Sequence, residues 1–165
     1  MSEKIKTAEN NEDGSALTEG YRFVYDDAIN NQEFADVLSA AGLGRSTTED
    51  VETDREQAKK DGYEVSIIGV RDSNDSLVGT AILAHRQGST NGELFDRAVA
   101  EEHQHKGIGK AIMDEQLRLA DENGLESLYI AEVEPTNTLR PYLMELGFVD
   151  NGKDGLQRGS NPGPV

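Results

Sequence analysis

Apolar residues recur along the chain with two periods, and the change from one to the other marks out its elements. Tyr21-Arg22-Phe23-Val24-Tyr25 is aromatic and β-branched and predicts a first strand. Phe34, Val37, Leu38 and Ala41 then fall at i, i+3, i+4 and i+7, the stripe of an amphipathic helix, with Gly42 as its stop. Ser46-Thr47-Thr48-Glu49 has capping-box spacing before a polar stretch reaching Asp61. With only Val51 and Ala58 as apolar anchors, that second helix is expected to be largely solvated. Residues 65–70 and 77–84 read as strands joined by the turn formers Asp72-Ser73-Asn74-Asp75-Ser76, and 94–100 as a fourth strand. Ile108, Ala111, Ile112 and Leu119 line one face of a helix over 107–123, ended by Gly124. A fifth strand over 128–133, a helix over 137–146 stopped by Gly147, and a short hairpin around Asn151-Gly152 complete the pattern.

The order β-α-α-β-β-β-α-β-α-(β) predicts the α/β class, a mixed sheet with helices on both faces. Residues 1–20 are polar and are expected to form a disordered tail, 21–158 a single domain, and 159–165 a second tail. A chain of 165 residues is one domain's worth and buries about 70% of the surface it exposes when unfolded.

Composition narrows the partners. Sixteen Lys+Arg against 32 Asp+Glu leave a net charge of −16. That balance disfavours nucleic-acid backbones and anionic lipid, both of which need clustered cations. No cysteine is present, which removes disulfides, thiolate metal sites and a cysteine nucleophile. The N-terminus has no signal-like apolar stretch and no run is long enough to span a membrane, so a soluble, cytoplasmic protein is expected. Two readings of the acidity stand side by side. A negative surface gathers cationic amines; equally, an acidic chain with 7 Lys and 9 Arg suits a halophilic protein that folds in very high salt.

The chemistry concentrates in Ala98-Val99-Ala100-Glu101-Glu102-His103-Gln104-His105-Lys106-Gly107-Ile108-Gly109-Lys110, where a strand enters a loop with two glycines that opens into a helix. Glycines allow close backbone approach, and the free amides at a helix start favour a pyrophosphate. A Walker A loop fails, because Ala111 follows Gly109-Lys110. A dinucleotide fingerprint fails too, because Ile112 stands where a third glycine belongs. His103 and His105 beside Glu101 and Glu102 raise a metal site; in a phosphate loop their rings are expected to face solvent, and no third ligand is suggested, so no metal is expected.

Gln104-x-x-Gly107-x-Gly109 resembles the [RQ]-x-x-G-x-[GA] signature of the GNAT superfamily of acetyl-CoA-dependent N-acetyltransferases. Glu132-Val133 with Asn137, and Glu145-Leu146-Gly147-Phe148, resemble that family's fifth strand and last helix. The resemblance spans residues 21–148 and implies a twisted, mostly antiparallel sheet whose fourth and fifth strands splay around acetyl-CoA. By that likeness Gln104, His105, Lys106, Gly107, Ile108, Gly109 and Lys110 hold the pyrophosphate. Ala98, Val99 and Ala100 hold the pantetheine arm, a backbone N–H near Val99 meets the developing oxyanion, and Asn137 also contacts the arm.

The family's reaction is direct attack of an amine on the thioester, which needs a base to neutralise the amine. Glu132 and Glu93 both match positions where members place that base. The tyrosine that members use as general acid is replaced by Leu143, and Tyr142 is the nearest phenol. The resemblance therefore implies transfer of acetyl to a primary amine of a small molecule or protein. The alternative is a catalytically weak acyl-CoA-binding or regulatory module. The acidic second helix and short final hairpin leave the acceptor wall thin, a gap that a second subunit of a homodimer would close.

Overall fold

The computed structural model describes residues 17–41, 47–130, 140–150 and 155–159. In chain order it has β1 (Arg22–Tyr25), a 3-10 turn (Asp26–Ala28), α1 (Asn31–Ala40), α2 (Thr48–Lys60), β2 (Tyr63–Arg71), β3 (Leu77–Arg86) and β4 (Asn91–Val99). A second 3-10 turn (Glu101–His103) leads to α3 (Ile108–Glu122), β5 (Ser127–Ile130), α4 (Arg140–Glu145), β6 (Val149–Asp150) and β7 (Leu156–Gly159). Among the described residues seven strands form one sheet in the order β1-β2-β3-β4-β5-β7-β6. Each pairing is antiparallel except that of β4 with β5. This is the expected mixed, mostly antiparallel sheet with helices on both faces.

The first two helices start where their side-chain caps dictate. Asn30 accepts from the Glu33 amide and the Glu33 carboxylate accepts from the Asn30 amide, closing a capping box at α1. At α2 the box is Thr47 with Asp50, one residue later than the Ser46–Glu49 spacing suggests. Asp50 and Thr47 satisfy each other at 3.0 and 3.3 Å, an exchange the shorter carboxylate can make. Val51 is the buried residue of α2, so the helix is as solvated as its composition implies.

Two apolar clusters lie on opposite faces of the sheet. On one, Ile108, Ile112, Met113 and Leu119 of α3 pack against Ile68, Leu83, Leu94 and Leu128. On the other, Phe34, Val37 and Leu38 of α1 and Val51 of α2 pack against Ile82, Ala84 and Ala98. Each such buried side chain contributes about 1.5–3 kcal/mol, so both helix layers are fixed to the sheet chiefly by burial. Leu17 also packs against the first cluster, so contacts with the domain begin upstream of Tyr21.

The register of β4 shifts once. Phe95 pairs with Ile82 and Ala98 with Thr80, leaving Asp96 and Arg97 opposite Ala81 alone. This is a β-bulge, and it re-aims the strand just before the glycine loop. Gln116 of α3, fully buried, donates to the Ile82 carbonyl at 2.8 Å beside it.

Candidate active site

Among the described residues β4 continues beyond its pairing with β5, which covers Asn91 to Leu94. Ala100 donates its amide to Val78 of β3 at 2.9 Å. Alternation then turns the N–H and carbonyl of Val99 away from β3, toward the β5 side. On that side the Val99 carbonyl accepts from the side-chain amide of Gln104 at 2.8 Å. The glutamine of the glycine motif thus ties the loop back to the strand, and the Val99 N–H shares the side that would carry a pantetheine arm. Ala98 and Ala100 direct their amides to β3.

The loop meets the physical demands of a pyrophosphate. His105 has φ +65 and Gly107 has φ +81, two left-handed positions that turn the backbone over the start of α3. Gly107 is the N-cap of that helix, and it has no side-chain cap and no acid in its first turn. The leading amides are therefore left for an anion, with the positive end of a 15-residue helix behind them. A Cβ built on Gly107 meets nothing within 4 Å, so the space above the loop is open. His105, Lys106 and Lys110 are exposed, Gly109 is half-buried, and Ile108 anchors the loop in the core.

One expectation is corrected here. The ring of His103 does not face solvent: its Nδ1 meets the Tyr21 hydroxyl at 2.9 Å, and Nε2 lies 3.9 Å from Asp72. The Thr18 hydroxyl donates to the Lys106 carbonyl at 2.6 Å. The segment before β1 therefore braces the loop from outside, with Thr18 from the stretch expected to be a tail and Tyr21 from the expected start of the first strand. Among the described residues no group of three or more His, Cys, Asp or Glu is arranged to hold a metal ion.

Glu93 occupies the opposite face from α3. Leu94 packs under α3, whereas its neighbour Phe95 lines a cavity with Phe34 and Val51 of α1 and α2. Glu93 shares the Phe95 face by alternation, beyond the area the two helices cover. It belongs to a row that runs across four strands, Ala84–Glu93–Tyr129–Gln157. A concavity of about 480 Å³ opens over this row, lined also by Tyr63, Arg86 and Asn91. Tyr129, Arg86 and Gln157 are absent from the motif-based reading. The one sequence signal for Tyr129 is its position between Leu128 and Ile130, which alternation sends to the core.

Tyr142 points elsewhere. Its hydroxyl donates to Asp114 on α3, and Lys110 Nζ sits 4.5 Å from its ring centroid. Burial, and then the Asp114 carboxylate, hold the phenol well above its usual pKa. Leu143, where the family's acid belongs, is fully buried. Glu132 and Asn137 lie outside the described residues.

A mixed, mostly antiparallel sheet whose fourth strand runs into a glycine loop at a helix start matches the GNAT fold. The profile of the Acetyltransferase (GNAT) family matches residues 31–148, and the chain belongs to that family. Solved structures agree on the fold. A GNAT-family acetyltransferase from Staphylococcus aureus is similar at TM-score 0.65 and 14% identity, covering 84% of this chain and 98% of that one. A putative acetyltransferase from Acinetobacter baylyi aligns at TM-score 0.67 and 17% identity, over 84% and 92%. The N-acetyltransferase YhbS from Escherichia coli, solved in complex with CoA, aligns at 0.61 and 12%, over 84% and 81%. No curated protein matches the sequence significantly. Among the described residues no helix is long and apolar enough to cross a membrane.

Proposed function

We propose that this GNAT protein transfers the acetyl group of acetyl-CoA to a primary amine. The observation that carries the reading is the junction of β4 and α3, where Gln104 holds Val99 and the uncapped amides after Gly107 face open space. Acetyl-CoA supplies an activated thioester. Gln104 to Lys110 hold its pyrophosphate, the β5-side edge of Ala98–Ala100 takes its arm, and Asn137 adds a contact to the arm. Glu93, on the face opposite α3, takes the proton from the attacking amine, with Glu132 as the second carboxylate able to do so. The amine nitrogen bonds to the acyl carbon as the C–S bond breaks, and the departing thiolate gains a proton.

Tyr142 is the proposed donor of that proton, which requires it to release Asp114. A second reading rests on the same contact. With Leu143 buried and the Tyr142 proton held by Asp114, the chain would bind acyl-CoA and turn over slowly. A positioned acid contributes about 10²–10⁴-fold, so its absence slows the reaction without abolishing it. A homodimer, with a second copy bordering the open face of β4 and β5, belongs to the proposal, as do a cytoplasmic location and a preference for high salt.

The test is acetyl-CoA calorimetry in molar KCl on protein shown to be folded by circular dichroism, followed by CoA release on a panel of amines. The chain has no thiol to interfere with CoA detection. Tight binding at one site per chain with turnover supports the transferase, and binding without turnover supports the second reading. No binding by a folded protein ends both. If Glu93→Gln combined with Glu132→Gln leaves the rate untouched, neither carboxylate is the base.

A further inference from the structure

Resting on the acetyltransferase reading, we infer that the concavity over Glu93 takes an amine that also carries a carboxylate, a small amino acid, with Arg86 as the carboxylate's partner. In a chain with 32 acids to 16 bases, carboxylates are in excess over the arginines that could pair with them. Arg22 pairs with Asp75, Arg71 with Glu33, Arg118 with Glu115 and Arg140 with Asp150. Among the described residues Arg86 has no such partner, nor do Arg97 and Arg158, but of these three it is Arg86 that lines the Glu93 cavity.

Arg86 is nevertheless held in place. Its Nη1 donates to the Asp61 carbonyl at 2.7 Å, and its guanidinium lies 4.7 Å from the ring centroid of Tyr63, its cross-strand partner. Those contacts use one edge and one face of the fork and leave further N–H donors for a planar anion. Glu93, likewise without a cation among the described residues, pairs with Ala84, two residues before Arg86 on the same face. Such diagonal neighbours stand about 7–8 Å apart at the backbone, and both side chains line the same cavity.

A fixed cation and an acid at that spacing suit a zwitterion, with the amine at Glu93 and the carboxylate at Arg86. Asn91 and Gln157 add neutral polar groups for the remainder. The field of the whole chain agrees with this assignment. A net charge of −16 repels a simple anion and attracts any cation without selecting among them, whereas an amino acid is net neutral. Selection then falls to the local pair.

The experiment compares α-, β- and γ-amino acids with their own amides as acceptors, using the full chain, acetyl-CoA and CoA release. Each amide keeps the amine and loses the negative charge. The expected result is that the free acids exceed the amides by about tenfold or more in kcat/KM, mainly through KM, as a charge-assisted contact predicts. Arg86→Gln is expected to bring that ratio close to one, and Arg86→Lys to restore part of it. Equal rates on acids and amides in the wild type would overturn the inference and leave acetyl transfer standing. If no amine is acetylated yet the amino acids bind the CoA-loaded protein in an Arg86-dependent way, the transfer reading falls and the pocket stands. Neither turnover nor binding would end both.

Discussion

The side-chain amide of Gln104 donates to the carbonyl of Val99 at 2.8 Å, so the first residue of the glycine motif is tied to the strand it leaves. Gln104→Ala should loosen the loop without disturbing the core. The expected outcome is a fall in acetyl-CoA affinity of about 2–10-fold, the worth of one hydrogen bond. Calorimetry on the variant checks it, with thermal unfolding run alongside. Unchanged affinity would mean that the loop holds its shape unaided.

Glu33 joins α1 to the sheet. Its carboxylate accepts from both Nη atoms of Arg71, at 3.0 and 2.8 Å, as well as from the Asn30 amide. The hydrogen bond from Arg71 is the largest cause of a Glu33 pKa held below its ordinary 4.5, against some opposition from burial. Because the folded value is depressed, the contribution is complete above the unfolded pKa and is lost as pH falls through the folded one. Glu33→Gln, which can keep the helix cap, should cost about 1 kcal/mol near neutral pH. In urea titrations the gap between wild type and variant should close below pH 4.5. A gap independent of pH would show that charge is not what Arg71 reads.

Gly155 precedes β7 at a point with no room for a side chain. A Cβ there would sit 2.8 Å from the Ile130 carbonyl and 2.8 Å from the Tyr129 hydroxyl. The carbonyl is backbone and cannot step aside, so Gly155→Ala should destabilise by about 1–3 kcal/mol. Denaturant midpoints give the number. The same change should disturb acceptor turnover more than acetyl-CoA binding, because Tyr129 lines the Glu93 cavity and has no part in the loop.

Arg97, in the β4 bulge, has no carboxylate partner among the described residues, and burial pushes its guanidinium down to about 10. A half-buried cation without a partner is a cost to the free protein. Arg97→Met should therefore raise Tm by about 2–4 °C, as expected for roughly 1 kcal/mol in a chain of this size. Scanning calorimetry decides, and a lower Tm would show that the guanidinium is favourably solvated where it stands.

Local patterns were enough to place the elements. The spacing of Phe34, Val37 and Leu38, and of Ile108, Ala111, Ile112 and Leu119, specifies which helix faces are buried. Gly107 and Gly109 announce a loop that a ligand can approach. These properties are written in neighbouring residues, because periodicity and turn chemistry are short-range. Other features depend on strands and helices far apart in sequence. Nothing near Thr18 or Tyr21 marks them as braces for a loop more than eighty residues on. Tyr142 stands one residue from the family's acid position, yet only the approach of α3 gives it Asp114. Glu93 matches a base position of the family in the sequence, yet only strand register sets it beside Tyr129 and near Arg86. The folding class and the glycine loop are legible in neighbouring residues, since burial and helix capping act locally. The cavity over Glu93 emerges only in the folded sheet, since register brings together charges that no local pattern links.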